Sequence, residues 1–309
     1  MPNEPDIIET FGVNPGRENQ KDCSLGLASV YYDVLNHISI DSSINHTKMS
    51  ERECAAIHLH CALPNDLSLL DRGYNAFWLY ALYQQRKQFF CMRAKTNQSL
   101  VVKQFIKSRK PQAIMTLEPN KKSIETCQEK NLPTTAQVLR MVRVELGNSE
   151  VEVLITNLID EQIFPAKEFK ALYHLRWGIE ENYKRLKQWV EIENFSGKSA
   201  LSVKQDFYTK VLTTNLTSII ANAAQVQVDK ETAHRKHNYQ VNFAQAVSKM
   251  KNKVVELVII SSHYLQETLK VLVEYMACTI EPIRKGRSYK RKKSKMKNKL
   301  HYSSYKRSR

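Results

Sequence analysis

Four side chains able to engage a phosphate or a divalent cation follow one another at fixed spacing between Lys167 and Val190, K-E-F-K-A-L-Y-H-L-R-W-G-I-E-E-N-Y-K-R-L-K-Q-W-V. They are a phenol (Tyr173), a guanidinium (Arg176), a carboxylate (Glu180) and an ammonium (Lys187). In a helix turning about 100° per residue, all four fall within an arc of roughly 60°. Leu172, Leu175, Ile179, Leu186 and Val190 make an apolar stripe beside that arc, which reads as one long helix with the stripe against a core. A carboxylate flanked by two cations and a phenol could hold a hard metal ion next to phosphate oxygens. The plainer reading is a surface amphipathic helix in which Arg176 and Glu180 form an ordinary i,i+4 pair worth about 0.2–0.5 kcal/mol.

A second carboxylate stands in Asp66 to Tyr74, D-L-S-L-L-D-R-G-Y. Leu67, Leu69 and Leu70 read as a short strand ending at Asp71, with Gly73 allowing a sharp turn into a helix over Asn75 to Arg86 and Phe89 to Arg93 as the next strand. An acidic residue at the carboxyl end of a core strand is a favoured functional position in an open α/β sheet. Locally it is equally a turn or helix-capping residue.

Around these residues, positions 1–50 read as strands and turns, with Ser24–Leu35 and Ile38–Ile44 as hairpin partners. Ser50 and Glu53 have the spacing of a capping box, opening a helix through about His60. Residues 96–165 are basic (Lys103, Lys107, Arg109, Lys110, Lys121, Lys122) and carry a hairpin. In it Val142, Val144 and Leu146 alternate with polar residues up to Gly147-Asn148-Ser149, and Val151, Val153 and Ile155 alternate back. Ser202–Val226 and Asn242–Cys278 read as long helices separated by a polar loop.

The chain of 309 residues is long enough for a substantial core, and no run approaches the length of a membrane span. Its start shows neither the basic nor the apolar region of a signal peptide. The net charge of +16 is concentrated at the end: residues 284–309 hold 13 of the 47 Lys and Arg and none of the 31 Asp and Glu, leaving 34 against 31 elsewhere. Such a block is expected to be a disordered tail binding a polyanion, nucleic acid ahead of a merely solubilising role. The six cysteines show no C-x-x-C pair and read as reduced, mostly buried thiols of a cytosolic protein. His58 and His60, two apart, would point to different sides of a helix and read as structural.

The spacing Y-x2-R-x3-E-x6-K, together with D-R-G-Y followed by the strand F-F-C-M-R, resembles the Y-R-E-K branch of bacterial DDE transposases, of insertion-sequence-4 type. The resemblance implies an α/β, RNase H-like mixed sheet flanked by helices, with a β-rich insertion and a helical C-terminal part. Its expected divisions are 1–95 for the first part of the core, 96–165 for the insertion, 166–280 for the glutamate helix and C-terminal helices, and 281–309 for the basic disordered tail. It makes Asp71 and Glu180 the catalytic carboxylates and metal ligands, for Mg²⁺ with Mn²⁺ as a substitute. It makes Tyr173, Arg176, Lys187 and Arg72 the DNA-binding groups, acting on double-stranded DNA at terminal inverted repeats and target sites. A homodimer on paired ends and a cytoplasmic, nucleoid-associated place in a bacterium follow from it, with no membrane partner.

One departure bears on activity. The pattern sets its first aspartate farther upstream of the second than the 70 residues before Asp71 allow. Asp6, Asp22 and Asp33 are the aspartates in that stretch that could replace it. The chain is therefore expected to be N-terminally truncated and to lack the first strand of its sheet, which would leave an exposed edge. A DNA-binding remnant without chemistry is the alternative. An unrelated basic RNA- or ribosome-associated protein would explain the tail, but not the joint presence of the two motifs.

Overall fold

The computed structural model describes residues 1–14, 22–97, 99–146, 150–259 and 262–283. The chain folds as two compact units, Ser50–Ile179 and the combination of Met1–Met49 with Glu180–Arg309. The Gly147-Asn148-Ser149 turn and the basic run 284–309 lie outside the described residues.

Residues 1–49 open on a helix where strands and turns were expected, α1 (Pro5–Phe11). The signals for it are local: Pro5 occupies the first turn, where its missing N–H costs nothing, and Asp6 meets the positive helix end. Gly12 ends it at φ +93°, where an added Cβ would press on Thr47. A short pair, β1 (Val13–Asn14) and β2 (Cys23–Ser24), leads into the expected antiparallel hairpin of β3 (Gly26–Asp33) and β4 (Ile38–His46).

The unit 50–179 begins with the capping box read from the sequence: Ser50 Oγ accepts from the Glu53 amide at 3.2 Å, and Glu53 accepts from the Ser50 amide at 3.0 Å. They start α2 (Glu51–His58). Next come β5 (Leu67–Leu70), α3 (Phe77–Gln85) and β6 (Phe89–Ala94), a β-α-β unit in which β5 and β6 run parallel. Residues 96–165 contribute α4 (Leu100–Ser108), β7 (Gln112–Leu117), α5 (Lys121–Glu129), β8 (Gln137–Glu145) and β9 (Val151–Thr156). The stretch is thus α and β together, because Ser99 and Asn120 each cap a helix start. Its strands extend the sheet of β5 and β6 in the order β5-β6-β9-β8-β7, antiparallel beyond β6.

Period-two alternation gives this mixed sheet two buried faces. Phe90, Met92, Leu139, Met141, Val153 and Ile155 pack with Leu79, Tyr80, Tyr83, Val102 and Phe105 from α3 and α4. Cys91, Val142, Val144 and Leu154 pack on the opposite face with Phe169 and Tyr173, from α6 (Phe169–His174). Covered on both sides, β8 is buried well beyond a simple alternation.

The other unit takes up α7 (Trp177–Gln188) from Glu180 onward, then α8 (Ala200–Thr232), β10 (Tyr239–Val241), α9 (Phe243–Lys251), α10 (Val254–Ile259), α11 (Ser262–Cys278) and β11 (Ile280–Pro282). Among the described residues the C-terminal part is built of helices and the antiparallel β10–β11 pair, which includes Glu281 and Pro282. Its core gathers Ile7, Phe11, Leu186, Val203, Phe207, Ala224 and Met276 around α8. None of the six cysteines is in a disulfide, and Cys54, Cys91 and Cys127 are buried. Among the described residues no helix is long and apolar enough to cross a membrane.

Candidate active site

Asp71 follows the last residue of β5, at the carboxyl end of the parallel pair β5–β6. The chain there is tied down carbonyl by carbonyl. The Leu70 carbonyl accepts from the Tyr173 hydroxyl at 3.1 Å, and that of Asp71 from the Tyr74 amide at 3.0 Å. Arg72 accepts from Asn75 Nδ2 at 3.4 Å, and Gly73 from Arg52 Nε at 2.8 Å. Asn75 Nδ2 also donates to the Arg93 carbonyl on β6, and its side-chain Oδ1 accepts from the Tyr80 hydroxyl at 2.6 Å. Asn75, expected to open the helix, instead spans the turn and β6. Gly73 does not use glycine's freedom: it has no positive φ, and an added Cβ would meet only Glu51 at 3.9 Å.

Four backbone carbonyls in a row are therefore satisfied, while the Asp71 carboxylate, half-buried, makes no hydrogen bond or ion pair among the described residues. An oxygen donor held at a strand end and consumed by nothing in its own unit fits a hard divalent cation, which takes carboxylate ligands. Arg72 is exposed beside it.

The stretch from Lys167 to Val190 is two helices, not one. α6 ends at His174, and i→i+3 bonds from the Leu175 and Arg176 amides (3.2 and 3.1 Å) tighten the chain before α7 starts at Trp177. The break changes which side is buried. Tyr173 and Arg176 are 5% and 8% exposed, whereas Leu175, placed in the apolar stripe, is 40% exposed. The Tyr173 ring fills the α6 face of the sheet while its hydroxyl reaches the end of β5, and burial pushes its phenol well above the usual range. The Arg176 guanidinium lies 5.7 Å from the Tyr173 ring centre and 5.0 Å from that of Trp177.

Glu180 lies half-buried in the first turn of α7. The boundary between the compact units falls just before it, so Asp71 and Glu180 belong to different units. Lys187, from the same unit as Glu180, is exposed and pairs with Glu193 at 2.7 Å. Leu186 and Val190 are buried as the periodicity predicts.

Of the three upstream aspartates, two have other work. Asp6 accepts from the Ala200 amide at 2.6 Å, capping α8. Asp33 closes the hairpin turn, accepting from the Leu35 and Asn36 amides (2.9 and 3.1 Å) and the Asn36 side chain (2.6 Å). Burial would raise the Asp33 carboxyl, but those bonds outweigh it and hold it below the usual carboxylate range. A carboxylate so occupied is a poor metal ligand. Asp22 accepts from Asn3 through its backbone carbonyl.

A supporting group that sequence reasoning missed is Arg140, fully buried on β8, which donates to the carbonyls of Leu158 (3.2 Å) and Phe164 (2.8 Å) and lies 5.2 Å from the Phe169 ring centre. It fixes the loop that delivers α6, and so Tyr173. Arg52 and Asn75 were missed too, although Arg52 sits inside the capping-box segment and Asn75 directly after D-R-G-Y.

The family described as transposase DDE domain matches residues 19–216. A Sinorhizobium fredii protein named as a transposase (y4zB) is 26% identical over 160 residues, 51% of this chain and 43% of that protein. Transposase InsG of insertion sequence element IS4 from Escherichia coli is 21% identical over 263 residues, 84% of this chain and 57% of that protein. The matches thus span about half the length of each relative.

Proposed function

This chain belongs to the transposase DDE-domain family, of insertion-sequence-4 type, and from that premise we propose that it cuts and joins the DNA ends of an insertion sequence. The observation that carries the reading is the Asp71 carboxylate, left unengaged at the end of β5 while each neighbouring carbonyl is bonded. Asp71 and Glu180, matching the family's motif positions, would hold Mg²⁺ or, in its place, Mn²⁺. Metal bound there would neutralise charge on the attacking and leaving oxygens of phosphoryl transfer.

The substrate is double-stranded DNA at the terminal inverted repeats, followed by target DNA. Water attacks a phosphorus at the element end, freeing a 3′-OH and a 5′-phosphate. The 3′-OH then attacks a target phosphorus, one P–O bond breaking for each formed. Arg72 and Lys187, both exposed, and Arg176 would bind backbone phosphates, positioning the duplex without reading its sequence. We assign residues 1–95 and 166–280 to the catalytic core, 96–165 to an inserted segment and 281–309 to a basic DNA-binding tail. The protein would act as a dimer on paired ends, at the bacterial nucleoid.

A second reading draws on one observation: Asp6 and Asp33 are both engaged elsewhere. Residues 1–309 would then bind element ends without completing the carboxylate set. Nicking of a duplex carrying the element's own terminal repeat separates the two. Nicking in Mg²⁺ or Mn²⁺ that disappears in Asp71→Ala supports the transposase; binding of that duplex with no nicking in either metal supports the second reading.

A further inference from the structure

We infer that an exposed apolar stripe on α8, made by Leu201, Tyr208, Leu212, Ile219 and Val226, is the surface on which a second copy of this chain docks, the two α8 helices running antiparallel about a two-fold axis. The inference rests, for its purpose, on the proposed dimer on paired DNA ends and gives that dimer a surface.

α8 is 33 residues long, and Val203, Phe207, Ala224 and Val228 bury one of its faces in the core. At about 100° per residue the five stripe residues fall within an arc of roughly 40° on another face. They are 45–66% exposed. From Tyr208 to Val228 the only charged residue is Lys210, and it is buried. A helix face turned to water ordinarily carries charge, whereas the middle of a protein interface is depleted of it. Asn215 and Asn222, on one flank, donate to the Ser39 and Asn36 carbonyls at 2.9 and 2.8 Å, so the β3–β4 hairpin lies beside the stripe and leaves it uncovered. Leu35 and Ile40, next in sequence to those two anchor points, are themselves exposed and add apolar surface at that edge.

The spacing says which partner fits. Leu201 and Val226 are equidistant from a point between Thr213 and Thr214, and so are Tyr208 and Ile219. A two-fold axis there sets Leu201 against Val226 of the second copy and Tyr208 against its Ile219, with the two Leu212 side chains beside the axis. A stripe that matches itself in reverse is what an isologous interface requires. Because the stretch carries no exposed charge, no like charges meet across the axis. The basic run 284–309, with 13 Lys or Arg in 26 residues, has the wrong composition to cover an apolar stripe. A strip about 38 Å long and about 10 Å wide gives about 400 Å² from each copy, half of a standard interface. The pair is therefore expected to be weak by itself, with a Kd of about 10–100 µM, and to be consolidated when two chains hold the two ends of one element.

Sedimentation velocity of the full chain, without DNA or metal, tests this from about 1 to about 200 µM in about 0.3 M salt, which screens the +16 charge of each copy. The expected result is a reversible monomer–dimer equilibrium that Leu212→Glu and Ile219→Glu each weaken at least about tenfold, with thermal midpoints within about 2 °C of wild type because both sites are exposed. Cysteines report the register. Under mild oxidation Leu212→Cys should link to itself across the axis. Leu201→Cys should link to Val226→Cys in a mixture but not to itself, its two copies standing about 38 Å apart. Mass spectrometry of the linked peptides separates these bonds from any made by the native cysteines. A chain that stays monomeric throughout overturns the inference, as does a dimer indifferent to both glutamates or a Leu201→Cys chain that links to itself. Glutamates that lower the thermal midpoint by several degrees also overturn it, because the stripe is then covered within one copy. A monomeric chain that nicks its terminal-repeat duplex removes this surface alone, and a dimer that never nicks removes the proposed reaction alone.

Discussion

The Tyr173 hydroxyl donates to the Leu70 carbonyl at 3.1 Å, one residue before Asp71 and 103 positions away in the chain. Tyr173, for which the family resemblance implies a DNA contact, lies buried between α6 and β5. Tyr173→Phe keeps the ring and removes this bond, so it should lower stability by about 1 kcal/mol. Urea unfolding checks this, as a lower midpoint at unchanged slope.

Gly73→Ala should be tolerated. The residue has ordinary φ, and an added methyl would approach only the flexible end of Glu51, at 3.9 Å. Stability should stay the same or rise by up to about 1 kcal/mol through a less flexible unfolded chain. A thermal midpoint several degrees below wild type would contradict this account of the turn.

Lys187 and Lys210 should behave oppositely. Among the described residues Lys187 is exposed and pairs with Glu193, an arrangement worth about 0–1 kcal/mol. Lys187→Ala should leave unfolding nearly unchanged, yet reduce the salt dependence of duplex binding by about one released counterion. Lys210 is buried, donates to the Glu191 carbonyl at 3.0 Å and to that of Asn194, and lies 5.3 Å from the Phe195 ring centre. Lys210→Met removes both of these bonds from a buried ammonium site, the Glu191 carbonyl keeping only the Asn194 amide at 2.9 Å, and should cost about 1–3 kcal/mol in unfolding free energy.

Tyr32 gives a pH signature. Burial pushes its phenol up to about 12, against the nearby Arg185 charge that would lower it. The folded chain keeps this proton where the unfolded chain, with an ordinary phenol near 10, has lost it. The contribution is therefore fully present below about pH 10 and lost as pH rises to about 12. Tyr32→Phe should flatten that part of the stability profile and remove a late phase of tyrosinate absorbance.

Much of this was legible from local pattern. The Ser50–Glu53 box, the hairpin of β3 and β4, the strand ending at Asp71 and the pairing of β8 with β9 depend on residues close in sequence, and they form where read. Pro5 and Asp6 carried a helix-start signal that the strand-like neighbourhood outweighed. The split at Leu175–Arg176 was not legible, because periodicity over Lys167–Val190 suits one helix as well as two. What separates them is long-range: α6 is drawn onto the sheet by the Phe169 and Tyr173 rings and by the bond to Leu70. The side-chain bonds that hold the Asp71 turn were hidden for the same reason, since Arg52 and Asn75 meet their partners 21 and 18 positions away. The capping of α8 by Asp6, 194 positions off, likewise has no local trace.

The central claim is that Asp71 and Glu180 serve one metal site, and it is tested most directly by metal-directed backbone cleavage. Fe²⁺ is loaded in place of Mg²⁺, ascorbate and peroxide generate hydroxyl radicals at the ion, and the cut positions in the full chain are mapped. The account predicts cuts beside both Asp71 and Glu180, lost together in Asp71→Ala and competed away by Mg²⁺. Cuts beside only one of the two, or cuts at both that survive Asp71→Ala, would contradict it.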